Sequence, residues 1–252
     1  MLVAPQDRLI EKLKKEKEIA TNYSNFLEEA KIDLRAESLL AVDRSYEIKR
    51  RRLYCIEQAM EKAAKAAYPL LLNNLKEIKP DTLYKELMQY KPKNISHFPK
   101  GLIDTVSKSL LILNKVNKNL GTDAKDAFNK KDLSKLLEYN KLIERELDRF
   151  RREELPNLKP NDSAELVYKK FQSLHNSINA YYVLGMSIWK ILSDYEQQFR
   201  YPYDKKRGDN IPENLLDLGD DLHRYVENFI RNAVQDVQNK KSMSFPDKAP
   251  NI

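Results

Sequence analysis

Residues 167–199 read VYKKFQSLHNSINAYYVLGMSIWKILSDYEQQF, and the spacing within them decides the fold. From Val167, steps of four and three reach Phe171, Leu174, Ile178, Tyr181, Gly185, Ile188, Leu192, Tyr195 and Phe199, ten positions without a charge. A 3.5-residue period held this long belongs to a helix packed in coiled-coil fashion against at least one other long helix. Asp162 and Glu165 stand at capping-box spacing after Pro156 and Pro160, so the helix is expected to open there and to reach about Arg200. Gly185 within the seam would let a neighbouring backbone or a large side chain come close.

Helical patterns extend in both directions. Downstream, Asn210-Ile211-Pro212-Glu213 opens a last helix carrying Leu215, Leu218, Leu222, Tyr225, Phe229 and Ala233, and residues 242–252, with two prolines, read as a flexible tail. Upstream, Asp132 caps a helix with Leu133, Leu136, Ile143, Leu147 and Phe150 on one face. Asn140 falls on that stripe, where a single polar residue can set register. A helix is expected from about Gly101 to Asn119, stopped by Gly121, and Asp81 caps a short helix to Tyr90 ahead of a loop, Lys91 to Pro99. Between Pro5 and Pro69 there is neither proline nor glycine. One apolar series runs Leu9, Leu13, Ala20, Tyr23, Leu27, Ala30, Leu34, and a second runs Leu39, Val42, Tyr46, Leu53, Ile56, Met60, Ala63, Ala67. Their registers differ, so the seam shifts near Arg35 to Ser38, as a stutter in one helix of roughly 90 Å or as a break between two.

Five glycines in 252 residues are too few for the tight turns of a sandwich or a doubly wound sheet. The fold class is therefore all-α, an elongated helical bundle with one or more very long helices and coiled-coil-like packing. Residues 1–241 are expected to form a single elongated domain, kinked or subdivided near 69–99. One cysteine, Cys55, excludes an internal disulfide framework and thiolate metal sites. With no apolar run of 18 residues and charges already at Asp7 and Arg8, the expectation is a soluble, intracellular protein of a reducing compartment, the cytoplasm.

The formal net charge is +7, and residues 67–131 hold most of the excess, with twelve lysines, no arginine and six acids. Lysine suits diffuse attraction to anionic surfaces better than planar recognition of phosphate or a guanine edge. Two tighter runs are candidate anion- or partner-binding sites. Lys49, Arg50, Arg51 and Arg52 lie within the long helix, where four consecutive basic residues exceed one turn and at least one must face the packed stripe. The other reading of that run is internal pairing, with Glu47, Glu57 or neighbouring helices. Lys205, Lys206 and Arg207 lie in a loop beside Tyr201 and Tyr203, a composition suited to stacking on nucleic acid or simply to solvent.

No catalytic constellation is present. Asp217, Asp220, Asp221 and His223 form the densest group of metal-ligand types, but a dimetal helical bundle needs a second Glu-x-x-His copy, so no metal or other cofactor is expected. Cys55 sits behind Arg50 to Arg52, which would favour its thiolate, or else is a small buried residue. The reading is a non-enzymatic helical interaction or scaffold protein whose partner is another protein, with a homodimer also open. The second reading is a peripheral module on anionic membrane surfaces. Long kinked helices with a basic excess resemble the crescent-shaped BAR domains, although Pro80, Pro92, Pro99, Pro156 and Pro160 interrupt the chain more often than three long helices permit. The third is a helical nucleic-acid-binding protein.

Overall fold

The computed structural model describes residues 25–42, 45–71, 103–200 and 211–242, which are helical with no strand among them. The expected helix before residue 25, the short helix from Asp81 to Tyr90, the loop Lys91 to Pro99, the run Lys205 to Arg207 and the tail after Ser242 lie outside the described residues.

The stretch lacking proline and glycine breaks rather than stutters, and later than the register shift suggested. Helix α1 covers residues 25–40 and α2 covers Tyr46–Leu71. Ala41 N–H closes a tight turn on the Ser38 carbonyl at 3.3 Å, and the Ser45 carbonyl accepts the Lys49 N–H at 2.9 Å, placing a serine where helix N-termini favour one. The two helices run antiparallel. Lys62 Nζ meets Asp33 at 2.7 Å and Arg52 Nε meets Glu37 at 2.7 Å, pairings possible only if the chain doubles back. A continuous rod through this region is thereby corrected to a hairpin. Buried Ala59, Ala63, Ala64, Ala66 and Ala67 on α2 allow neighbouring helices to approach closely.

Helix α3, Ile103–Ser109, tightens into a 3₁₀ turn at Leu110–Lys115, and the chain reverses at Asn119, whose φ is 70°, into α4, Leu120–Asn129. Gly121 is not the expected stop. It lies in the first turn of α4, where a Cβ would stand 2.7 Å from the Leu110 carbonyl oxygen and 2.8 Å from Leu111 Cα. Close packing of α4 on the 3₁₀ turn, not helix termination, requires glycine there. Helix α4 ends in a Schellman arrangement, with Asp132 N–H on the Ala127 carbonyl at 2.8 Å, Lys131 N–H on the Phe128 carbonyl at 3.0 Å, and Lys131 at φ 55°.

Helix α5, Leu133–Arg149, is capped by Asp132, whose side chain accepts the Lys135 N–H at 3.2 Å, and every stripe residue expected from its sequence is buried, Asn140 included. It widens into one π-helical turn, Phe150–Glu154, closed by Leu155 N–H on the Phe150 carbonyl at 2.9 Å. Helix α6, Ala164–Asp194, is capped one residue later than the capping-box spacing implied, by Ser163 accepting the Leu166 N–H at 3.2 Å. It stops short of Arg200, because Tyr195 leaves helical geometry and a separate α7, Glu196–Arg200, follows. The last expected helix is also divided, at Leu218, into α8, Glu213–Asp217, and α9, Gly219–Ser242.

The core gathers around the second half of α6. Val167, Phe171, Leu174 and Ile178 are only half-buried, whereas Asn179 through Trp189 are buried without interruption, on every face. A helix wrapped on all sides is central rather than one strand of a two-helix seam. Helices α2 and α5 and the 3₁₀ turn pack against it. Tyr181 stacks on Phe229 of α9 at 5.7 Å between ring centroids, and Tyr182 meets the same ring edge-on at 5.3 Å.

Candidate functional site

The run Lys49 to Arg52 opens α2, and the turn before it sets α1 alongside with α8 and α9 across from both. Four consecutive residues of a helix point in four directions. Lys49 reaches Asp217 at 2.7 Å, and Arg50, 3% exposed, reaches Glu47 at 2.8 Å. Arg52, 8% exposed, donates through Nε to Glu37 at 2.7 Å and through Nη2 to Asp220 at 2.5 Å. Only Arg51 of the four is exposed.

Glu37 is the hub of this cluster. It is wholly buried and holds Arg52 on one oxygen and His223 Nδ1 on the other, so one carboxylate from α1 ties α2 to α9. The Glu37 contact raises the His223 pKa above its ordinary value against the opposing effect of burial, with Glu227 adding to the rise and Arg52 working against it. Burial alone would lower the Arg52 pKa, but its bonds to Asp220 and Glu37 more than offset this. Asp220 and His223, a helical turn apart on α9, thus take different partners, and among the described residues no group of His, Cys, Asp and Glu could hold a metal ion. Cys55 is half-buried, and burial followed by the charges of Asp33 and Glu37 raises its pKa, which fits the reading of a small, partly buried residue and not that of a thiolate favoured by the arginines. The guanidinium groups of Arg50 and Arg52 face carboxylates instead.

Beyond this cluster, the end of the α1–α2 hairpin carries the opposite arrangement. Leu39 is 83% exposed, Val42 92% and Tyr46 48%, although all three belong to the apolar series that includes the buried Leu53, Ile56 and Met60. Arg35, exposed one turn before Leu39, lines with Lys31, Leu34, His223 and Arg231 a cavity of about 390 Å³ between α1 and α9.

Sequence reasoning picked the basic run but missed Glu37, which organises it, and missed the apolar hairpin end. The signal for the latter was Asp43-Arg44-Ser45, three turn-compatible polar residues interrupting the series between Val42 and Tyr46. No family model, curated protein or solved structure matches the chain.

Proposed function

We propose that this is a non-enzymatic helical interaction protein that docks another protein at the free end of its α1–α2 hairpin. The observation that carries the reading is the exposure of Leu39, Val42 and Tyr46 at one end of a hairpin whose Glu37, Arg50 and Arg52 are buried. Exposed aliphatic and tyrosine side chains at one end of a rigid helical pair suit the apolar centre of a protein interface, and Arg35 and Arg51 beside it suit a polar rim. In this reading the body is an elongated bundle. Coiled-coil-like packing belongs to the first half of α6, where Val167, Phe171, Leu174 and Ile178 are half-buried while Tyr168, Lys169, Gln172 and Ser173 are exposed. Lys205 to Arg207 are assigned a supporting electrostatic role.

The test places a photo-crosslinking residue at Val42 and exposes cells to light. The reading expects a discrete protein adduct that disappears in the Leu39→Asp variant. Adducts with lipid, together with sedimentation on anionic but not neutral vesicles, would replace it with the membrane-surface reading. Retention on a polyanion resin with a steep salt dependence would replace it with nucleic-acid binding.

A further inference from the structure

Helix α1 has a second apolar face. Leu27, Ala30, Leu34 and Glu37 are buried on its inner side, while Ile32, Ala36 and Leu39, spaced four and three apart, lie along the opposite side and are exposed. Ile32 is 61% exposed, so the apolar end formed by Leu39, Val42 and Tyr46 continues back along the helix. Ile32 and Leu39 stand about 10 Å apart along the axis, with only the methyl group of Ala36 between them. The notch over Ala36 suits one apolar side chain of a neighbour, and steps of four and three suit a neighbour that is itself an amphipathic helix.

The charges around this face are not balanced. Glu28 meets Lys31 at 2.7 Å, Asp33 meets Lys62 at 2.7 Å, and Glu29 is 3.8 Å from the same lysine. Glu37 and Glu47 are held by Arg52 and Arg50. Every described carboxylate of α1 and of the first turn of α2 therefore has a cation of the same chain beside it. Arg35 and Arg51 are exposed, and among the described residues neither is in ion-pairing range of a carboxylate. Asp43 and Arg44 between the helices cancel in formal charge. Helical spacing sets Arg35 one turn before Leu39, on one flank of the face. The Arg52–Glu37 bond fixes the register of the hairpin, so Arg51 lies level with Leu39. It lies on the other flank, because Lys62, about three turns along the same side of α2, reaches Asp33 and Glu29 on the side of α1 away from Arg35.

We infer that this face takes an acidic amphipathic helix of a partner protein, with its apolar stripe seated over Ala36 between Ile32 and Leu39 and its carboxylates on Arg35 and Arg51. The inference rests on the reading of the hairpin end as a docking surface and adds the chemistry of what docks there. A basic helix would set cations against two guanidinium groups that have no counter-charge, and an uncharged one would leave both unpaired where the interface excludes water. A second copy of α1 would bring Glu28 and Glu29 to the face, carboxylates already shared with lysines.

Fluorescence anisotropy of the whole protein with labelled synthetic peptides tests this. The peptides are a helix with leucines at steps of three and four and glutamates on its polar face, the same helix with lysines for glutamates, and a scrambled glutamate peptide. Saturable binding of the first alone is expected. In the Arg35→Glu, Arg51→Glu double variant it should weaken about tenfold while the lysine peptide gains binding, with the melting temperature unmoved because neither arginine has an ion pair to lose. Equal binding of the glutamate and lysine helices, lost in Leu39→Asp, would overturn the acidic class and leave the docking surface standing. Glutamate-helix binding that is absent, or untouched in the double variant, would overturn the inference, and crosslinking from Val42 then decides separately whether a protein docks at the hairpin end. An adduct of Val42 with a second copy of this chain would overturn it in favour of self-association.

Discussion

The second half of α6 and the free end of the α1–α2 hairpin arise from the same kind of sequence, apolar residues in steps of three and four, and end in opposite environments. In the second half of α6 the stripe from Tyr181 to Leu192 is buried, and so are Val183, Leu184, Met186 and Trp189 between its members. At the hairpin end Leu39, Val42 and Tyr46 face solvent, while Glu37, Arg50 and Arg52 are inside. Periodicity therefore identifies a helix and one of its faces, but not whether a neighbour will cover that face. What decides burial is the composition between stripe positions and the distance from a chain reversal. Apolar intervening residues in α6 bring neighbours on every side, and the reversal between α1 and α2 leaves nothing beyond it to pack against among the described residues.

The contrast would break first at the buried cluster. Glu37→Gln removes the charge that Arg52 and His223 share, and an arginine left less fully paired in the interior should cost about 3 kcal/mol in urea unfolding. A loss below about 1 kcal/mol would mean that Asp220 alone suffices to hold Arg52. Within α6 itself, Leu192→Ala should cost about 2 to 5 kcal/mol and Leu174→Ala, half-buried, about 1, a difference that equal losses would erase.

The pH dependence sharpens the account of Glu37. Because folding raises the His223 pKa, the imidazolium contributes stability that is fully present below the unfolded value of about 6.5 and is lost as pH rises through the higher folded value. The stability difference between the wild type and His223→Gln should shrink across that interval, and a difference that is flat with pH would contradict the pairing. The smallest effect belongs to the hairpin end, where Leu39→Ser and Val42→Ser should each alter stability by under about 0.5 kcal/mol. A large loss there would show that the end is covered in the folded protein.

All-α character was legible in the scarcity of glycine and in the stripes, and the cap at Asp132 and the buried face of α5 follow from residue types alone. Three features were not, or only faintly, because each depends on tertiary packing. Gly121 reads as a stop, yet it is retained by the approach of the Leu110 backbone. The hairpin had only the faint signal of Asp43-Arg44-Ser45 and the shift of register, set between runs of Ala, Glu, Arg and Leu that favour helix on both sides. The surroundings of Leu39 are set by the doubling back of the chain, and nothing in the spacing of Arg35 and Arg51 foretells that they flank it.

The central claim is that the buried arginines near the start of α2 are internal pairs, with Arg52 tying the hairpin to α9, while the apolar end is the proposed working surface. Thermal unfolding of the Arg50→Glu, Arg52→Glu double variant, followed beside crosslinking from Val42, tests it most directly. The account predicts a melting temperature lower by several degrees, since each substitution sets a carboxylate against Glu47, Glu37 or Asp220 in a poorly solvated place. An unchanged melting temperature combined with loss of the protein adduct would contradict it, returning the run Lys49 to Arg52 to the surface as the site of binding.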